Sequence, residues 1–289
     1  MSVILVTGSS TGIGLETALH MARKGHEVFA SVRNPDTATE LAEKIAAEDL
    51  PAQVIRLDLV DPDSIAAAVA AITDSGGRLD ALVANAGIGA GSSVEETELE
   101  TAREIFETNY FGNVSLLRAV TPIMRKQRGG TIVMVGSLAG RFAAGCHGHY
   151  SASKWAMEGL CESLAQEMAE FDARVSIIEP GCVLTPMWTK VAPSDAPPLY
   201  PVNVQRLTRF FEFGLRAPAM PADVAAAIEE VINSDNPPFR VPVGTDATEV
   251  IAGRDGTAGD GWIDMLRTPG EDAFAERWTA VVGRDYFRD

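Results

Sequence analysis

Short apolar segments alternate with longer amphipathic segments along most of the chain. The apolar segments are rich in Val, Ile, Leu and Ala and are bounded by glycine or polar residues. This pattern is typical of strands that are buried on both faces of a sheet. Predicted strands cover residues 3–7, 28–32, 53–58, 81–84, 131–136, 175–179 and 239–243.

Between these segments, apolar residues recur at intervals of three and four, which is the spacing of one face of an α-helix. Predicted helices cover residues 12–23, 37–47, 62–73, 98–125, 151–170 and 221–233. Strands that alternate with helices in this way predict an α/β fold, with a doubly wound, mostly parallel seven-stranded sheet and helices on both faces. We expect one domain over residues 1–289, with ligands bound beyond the carboxyl ends of the strands.

Two segments depart from the alternation. Residues 182–215 combine several prolines with aromatic side chains, which predicts a lid over a binding cleft rather than an idle loop. Residues 244–289 form a C-terminal extension that carries Trp262, Phe274 and Trp278. These large apolar side chains predict that the extension packs on the domain.

Composition excludes several classes of protein. The formal net charge of −16 and the lack of a Lys/Arg run oppose binding to nucleic acid. The three cysteines include no CxxC pair, which favours a reducing compartment over a disulfide scaffold. We find no signal-peptide layout and no apolar stretch long enough to span a membrane. We therefore expect a cytoplasmic protein with no membrane partner and no resident metal.

A glycine-rich turn follows the first predicted strand. Residues 7–14 read Thr-Gly-Ser-Ser-Thr-Gly-Ile-Gly and lead straight into a predicted helix. Residues without a Cβ let backbone N–H groups approach a pyrophosphate, and the helix N-terminus adds partial positive charge. The position of the glycines at a strand exit therefore predicts a dinucleotide site.

Tyr150 and Lys154 are four residues apart in a helical pattern that begins just before the predicted helix 151–170, so their side chains lie on one face, one turn apart. A cation about 4 Å from a phenolate contributes ~1 kcal/mol in water but ~4 kcal/mol at an effective dielectric of ~20. A partly buried pair can therefore exchange a proton with a reacting oxygen. Ser137 follows the fifth predicted strand, and Asn109 lies inside the helix 98–125, where its amide can interrupt the helical hydrogen bonding.

Together these segments resemble the short-chain dehydrogenase/reductase family, whose members have a Rossmann fold. The shared motifs are the glycine turn, Asn85-Ala86-Gly87, Asn109, Ser137, Tyr150, Lys154 and Pro180-Gly181, and the likeness covers residues 3–243. The resemblance implies that Asn109, Ser137, Tyr150 and Lys154 form the catalytic set. It also implies a cofactor site lined by Gly8, Ser10, Thr11, Gly12, Ile13, Gly14, Arg33, Asp58, Leu59, Asn85, Ala86, Gly87, Tyr150, Lys154, Pro180, Gly181, Val183 and Thr185.

The choice of dinucleotide depends on the end of the second predicted strand. An acidic residue there would bind the ribose diol of NAD(H), but the chain has Arg33, which can bind a 2′-phosphate through charge-assisted hydrogen bonds. Ser10 offers a further hydroxyl contact. We therefore expect a preference for NADP(H), with NAD(H) as the alternative because Asp36 lies nearby.

The family resemblance implies a reaction in which a hydride passes between the nicotinamide and a carbonyl or alcohol carbon while Tyr150 handles the proton. The turn at residues 29–33 is similar to that of hydroxysteroid and retinol dehydrogenases. Apolar residues suggest a hydrophobic ketone, aldehyde or secondary alcohol as the small-molecule partner, with Ser137, Phe142, Met187 and Trp188 as substrate contacts. The family also implies a homodimer or homotetramer.

Three other functions are opposed by the sequence. A Ser-His hydrolase would use Ser137 with His147 or His149, but Val135 and Ala139 replace the glycines of the nucleophile elbow. Cys146 and the two histidines are not accompanied by a further Cys or His at a zinc-motif spacing, which argues against zinc and leaves the histidines facing the cleft or solvent. The remaining alternative is a catalytically silent sensor or scaffold that binds the dinucleotide, which the complete catalytic set opposes.

Overall fold

The sheet is built from seven short strands, and the side chains of the five central strands are almost all buried, whereas those of the two edge strands are mostly half-buried or exposed. The structure is a computed structural model that describes residues 1–89, 91–186 and 197–288. The strands are β1 (Val3–Thr7), β2 (Glu27–Val32), β3 (Ala52–Arg56), β4 (Ala81–Ala84), β5 (Gly130–Val135), β6 (Ala173–Pro180) and β7 (Arg240–Val243). They pair in the order β3-β2-β1-β4-β5-β6-β7, and each of these pairs is parallel.

Helices cover both faces of this sheet. They are α1 (Gly12–Arg23), α2 (Thr39–Ala47), α3 (Pro62–Gly76), α4 (Leu99–Phe106), α5 (Asn113–Gln127), α6 (Gly148–Ala169), α7 (Pro201–Gly214), α8 (Pro221–Asn233), α9 (Thr245–Asp255), α10 (Gly261–Leu266) and α11 (Glu271–Val282). Side chains alternate along β1, so Ile4 packs on the α1 and α8 face and Leu5 on the α3, α5 and α6 face. The strand order reverses between β1 and β4, which opens a crevice at the carboxyl ends.

The helix predicted over residues 98–125 has a different internal structure. Residues Glu107–Gly112 form a π-helical turn between α4 and α5. The turn is closely packed, because a Cβ added at Gly112 would lie 2.7 Å from the Cβ of Leu59. π-Helical turns often occur at functional sites, and this one contains Asn109.

The C-terminal third forms its own apolar cluster beside the sheet. Trp278 is fully buried and packs against rings from α7 and from the residues after α11. The main rings of this C-terminal aromatic cluster are Phe142, Phe210, Trp262, Phe274, Trp278, Tyr286 and Phe287. Helix α7 lies within the segment 182–215, so part of the lid predicted from the sequence is a helix held by the extension 244–289.

None of the helices that the structure describes combines the length and the apolar character that crossing a bilayer would require.

Candidate active site

A large cleft opens at the carboxyl ends of β1, β2, β4, β5 and β6. Its volume is about 1070 Å³. Most of the residues predicted to hold a cofactor line it: Gly8, Ser10, Thr11, Gly12, Ile13, Arg33, Asp58, Leu59, Asn85, Ala86, Gly87, Tyr150, Lys154, Pro180, Gly181, Val183 and Thr185. Ser137 lines it as well. The parallel topology brings these residues together because every strand ends at the same edge of the sheet.

The glycine turn after β1 leaves no room for side chains. A Cβ added at Gly14 would lie 2.2 Å from the carbonyl oxygen of Gly8, and Gly8 itself has a φ of +70°. Gly14 is buried behind the turn and does not line the cleft, so it keeps α1 close to β1. A close, side-chain-free approach of backbone to cleft fits a pyrophosphate group.

Thr7, the last residue of β1, binds the loop that follows β4. Its buried hydroxyl accepts hydrogen bonds from the backbone N–H groups of Asn85 at 3.0 Å and Ala86 at 3.1 Å. The side-chain amide of Asn85 in turn donates to the carbonyl oxygen of Thr7 at 2.9 Å. These bonds hold residues 85–87 beside the glycine turn.

At the far end of the cleft, Arg33 follows β2 with an exposed side chain. Asn34 and Thr37 line the same end. Asp36 is exposed in a short 3-10 turn (Pro35–Thr37) and does not line the cleft. Arg33 is therefore the charged side chain that the end of β2 presents to this region.

Lys154 is a buried cation fixed at the edge of the sheet. Its ammonium donates a hydrogen bond of 3.0 Å to the carbonyl oxygen of Val135, the last residue of β5, and is 8% exposed. It lies 5.8 Å from the centroid of the Tyr150 ring, one helical turn away on α6. The positive charge is thus held beside the phenol in a partly desolvated cleft, where electrostatic interactions are stronger than in water.

Ser137 lies directly beyond β5, at the start of a 3-10 turn (Leu138–Gly140). Its hydroxyl oxygen accepts a hydrogen bond of 3.1 Å from the backbone N–H of Ala139. This bond holds the hydroxyl at the same strand exit as Lys154, and both residues line the cleft. The hydroxyl hydrogen remains available to a substrate oxygen.

Asn109 lies behind the cleft rather than on its surface. Its Oδ1 accepts from the N–H of Ile88 at 2.8 Å, and its Nδ2 donates to the carbonyl of Ile88 at 2.9 Å and to Ser153 Oγ at 3.0 Å. A Cβ added at Gly87 would lie 3.0 Å from Asn109 Oδ1 and 3.8 Å from Lys154 Nζ. The amide and the ammonium therefore converge on Gly87.

A network of buried charges lies behind Lys154. Glu158 is one turn further along α6, and Glu179 lies in β6 immediately before Pro180. Arg240 bonds to Glu158 at 2.8 Å, and Arg141 bonds to Glu179 at 3.3 Å. Burial, followed by repulsion from Glu158, raises the pKa of Glu179 to about 7. Burial also raises the pKa of Glu158.

Comparison with known proteins agrees with this geometry. Residues 2–196 match the family model described as short chain dehydrogenase. Retinol dehydrogenase 8 of Bos taurus is 36% identical over 263 residues, which cover 86% of this chain and 83% of that protein.

The chain belongs to the short-chain dehydrogenase/reductase family.

Two solved structures extend the comparison. A short-chain dehydrogenase from Streptomyces avermitilis superposes with a TM-score of 0.78 at 32% identity, over 97% of this chain and 96% of that one. A 7α-hydroxysteroid dehydrogenase in complex with NADH and 7-oxo glycochenodeoxycholic acid gives a TM-score of 0.73 at 25% identity, over 84% and 92% of the two chains. This short-chain dehydrogenase/reductase thus has the predicted doubly wound, seven-stranded fold, and its predicted likeness to hydroxysteroid and retinol dehydrogenases is confirmed.

Among the substrate contacts predicted for this short-chain dehydrogenase/reductase, Ser137 lines the cleft and Phe142 does not. Phe142 instead has its ring buried in the C-terminal aromatic cluster at 5.6 Å from Trp262 and 5.7 Å from Phe210. Its contact with the substrate stays a prediction, and in the described residues its ring packs in the core. Met187 and Trp188 lie outside the described residues.

The sequence predicts that His147 faces either the cleft or solvent, and the structure places it against Tyr150. Its ring stacks on that of Tyr150, with 4.7 Å between centroids and 25° between planes, and meets the edge of Phe211 at 5.9 Å. Burial lowers the pKa of His147 to about 4, so the imidazole is neutral at pH 7. A neutral imidazole can pack on the phenol ring, and it adds no second positive charge beside Lys154.

Sequence reasoning also missed several residues around the cleft. In the sequence, Thr7 ends an apolar run and Ile88 follows the Asn85-Ala86-Gly87 motif. Only their hydrogen bonds identify them as part of the site. Glu100, Arg103, Glu104, Glu107 and Thr108 line the cleft from α4 and the π-helical turn. Their place in the cleft could not be predicted from the sequence, because charged residues on a helix usually face solvent. Among the described residues, no cluster of His, Cys, Asp or Glu could hold a metal ion.

The glycine turn generates a direct test. Replacing Gly14 with Ala should weaken dinucleotide binding at least tenfold, because the added methyl would force the Gly8 carbonyl away from α1. Binding can be measured by titrating the fluorescence of a reduced dinucleotide. Gly159→Ala is the matched control, since its Cβ meets nothing within 4 Å. Wild-type affinity in the Gly14→Ala protein would contradict the role of the glycine turn in binding the dinucleotide.

Proposed function

We propose that this protein transfers a hydride between NADP(H) and a hydrophobic ketone, aldehyde or secondary alcohol. The observation that carries the proposal is the placement of Tyr150, Lys154 and Ser137 at one strand exit of a dinucleotide-sized cleft. Family membership supports oxidoreductase chemistry. The choice of NADP(H) and the class of substrate are our inferences from the residues of the cleft.

In the reducing direction, a bound nicotinamide would supply the hydride to the carbonyl carbon. Tyr150 gives its phenolic proton to the carbonyl oxygen as that oxygen gains negative charge. Lys154 stabilises the phenolate that remains, because its ammonium is held near the ring. Ser137 donates a hydrogen bond to the same oxygen and holds it in place.

The phenolate must then regain a proton from water. Lys154 and Asn109 converge on Gly87, and Asn109 is tied to Ser153, whose hydroxyl donates to the carbonyl of Tyr150 at 2.7 Å. We assign Asn109 to the proton route between the phenol and solvent, through Lys154. Oxidation of an alcohol uses the same residues in reverse, with Tyr150 accepting the proton.

Preference for NADP(H) rests on Arg33. Its guanidinium is exposed at the end of β2, where an acid would be needed to bind a ribose diol. Ser10 lines the same cleft and offers a hydroxyl. Both groups suit a 2′-phosphate, and Asp36 does not line the cleft.

The substrate is inferred from the surroundings of Tyr150. His147 is neutral and Phe211 meets its edge, so this side of the phenol is apolar and aromatic. Retinol dehydrogenase 8 and the 7α-hydroxysteroid dehydrogenase are named for large apolar alcohols. We therefore propose a bulky, largely apolar carbonyl or alcohol.

We further propose that the protein is a homodimer or homotetramer in a reducing, cytoplasmic environment. Leu99 and Phe111 are 62% and 52% exposed near α4 and α5, which gives these helices an apolar surface for a second copy. Cys146, Cys161 and Cys182 are all free, which suits a reducing compartment.

The catalytic role of Tyr150 predicts that Tyr150→Phe lowers kcat at least 10²-fold, the lower end of what a general acid contributes. Reduced dinucleotide should still bind within about twofold, because the ring and its packing remain. Turnover is followed by absorbance at 340 nm with a panel of apolar carbonyls, and Tyr110→Phe is the matched control. Retained turnover in Tyr150→Phe would refute the mechanism, whereas a wild-type protein that binds NADPH but reduces nothing would favour a silent sensor.

The role of Arg33 predicts that Arg33→Ala raises KM for NADPH about 10- to 100-fold, which corresponds to ~1.5–3 kcal/mol for hydrogen bonds to a charged group. KM for NADH should change less than about twofold. The control is Arg56→Ala, because Arg56 lies at the end of the neighbouring β3 but pairs with Asp61 at 2.9 Å outside the cleft. A wild-type preference for NADH would overturn the assignment.

A further inference from the structure

A buried carboxylate of the C-terminal extension contacts the loop at the exit of β6. Asp246 is the second residue of α9 and is 6% exposed. Its Oδ2 accepts a hydrogen bond of 2.7 Å from the backbone N–H of Cys182. The preceding N–H, that of Gly181, donates to the carbonyl of Val243 at 2.9 Å. Two successive backbone N–H groups of the loop are therefore bound by acceptors on β7 and α9.

Two glycines approach this carboxylate at distances that exclude any side chain. A Cβ added at Gly181 would lie 2.1 Å from Asp246 Oδ1, and one at Gly244 would lie 2.8 Å from the same atom. A Cβ at Gly214, the last residue of α7, would be in ordinary contact with Oδ2 at 3.4 Å but would clash with Cys182 Sγ at 2.4 Å. The carboxylate is thus the point where the loop, the end of α7 and the start of α9 meet.

The charge of Asp246 is met by backbone and thiol groups rather than by a cation. Among the described residues, Asp246 forms no ion pair with Lys or Arg. The N-terminus of α9 favours a negative charge at this position. Burial and the nearby carboxylate raise the pKa of the Cys182 thiol, so the thiol stays protonated beside Asp246.

Beyond this anchor, the loop turns into the cleft. Pro180, Gly181, Val183 and Thr185 line the same cleft as Tyr150 and the glycine turn. A Cβ added at Gly12 would lie 3.3 Å from the side chain of Thr185, so the loop crosses close to the glycine turn. The loop therefore forms the part of the cleft wall beside Gly12.

We infer that Asp246 is a positioning residue that anchors the loop Pro180 to Thr185 in the conformation that binds the nicotinamide half of the dinucleotide. The inference rests on the proposed function for the identity of the ligand. It makes the C-terminal extension part of the active-site framework, since a residue of that extension fixes the cleft wall. Without the carboxylate, the loop loses its outer hydrogen bond and the cleft loses a fixed wall.

The test compares Asp246→Ala and Asp246→Asn with Asp272→Ala. Asp272 is the matched control because it is also the second residue of an extension helix, α11, but is exposed. Asp246→Ala should raise the Kd for NADPH about tenfold or more in fluorescence titrations. Amide hydrogen exchange at residues 181–185 should accelerate in the free protein, while exchange in β5 stays unchanged. Asp246→Asn keeps an acceptor for the Cys182 N–H and should fall between Asp246→Ala and wild type.

A second variant guards against misfolding of Asp246→Ala. Gly181→Ala keeps the carboxylate but forces the loop away from it, so it should weaken NADPH binding in the same way. Wild-type NADPH affinity and wild-type exchange at 181–185 in Asp246→Ala would overturn the inference. A wild-type protein that binds NADPH but turns over no carbonyl would overturn only the proposed function, because binding and exchange still decide the role of Asp246. A wild-type protein that binds neither dinucleotide would overturn both.

Discussion

The hydrogen bond from the Lys154 ammonium to the Val135 carbonyl is the constraint on which the rest of the site depends. A cation that is 8% exposed is costly unless its N–H groups find acceptors, and the end of a buried strand supplies one at a fixed position. The α-helical spacing then places Tyr150 one turn away, with His147 stacked on its ring. The bond to β5 and the helical spacing of α6 thus hold the charge near the phenol.

Much of this arrangement could be predicted from the sequence. Buried strands in a parallel sheet have apolar sequences, so all seven strands were found, with limits that moved by at most two residues. The glycine turn and the Tyr150 and Lys154 pair were found because local spacing alone determines their geometry. The core position of Phe142 could not be predicted, because the sequence of an apolar residue carries no signal that separates a core contact from a substrate contact.

Other features depend on contacts that are distant in sequence. Asn109 was expected to disturb its helix, but the π-helical turn follows from its bonds to Ile88 and from the packing of Gly112 on Leu59. In the sequence, Asp246 is one of many acids in the C-terminal extension, and only the fold brings it against Gly181. The buried pair Glu158 and Glu179 likewise joins α6 to β6 directly behind the reacting groups, where Arg141 and Arg240 balance their charge.

The most direct test of the account is an experimental structure of the protein with NADPH and a bound carbonyl analogue. The account predicts that Tyr150 Oη and Ser137 Oγ both lie about 3 Å from the analogue's oxygen. The nicotinamide C4 should lie ~3–3.5 Å from the carbonyl carbon, with Lys154 on the ribose side of the phenol. A structure in which the Tyr150 hydroxyl points to solvent, away from C4, would contradict it.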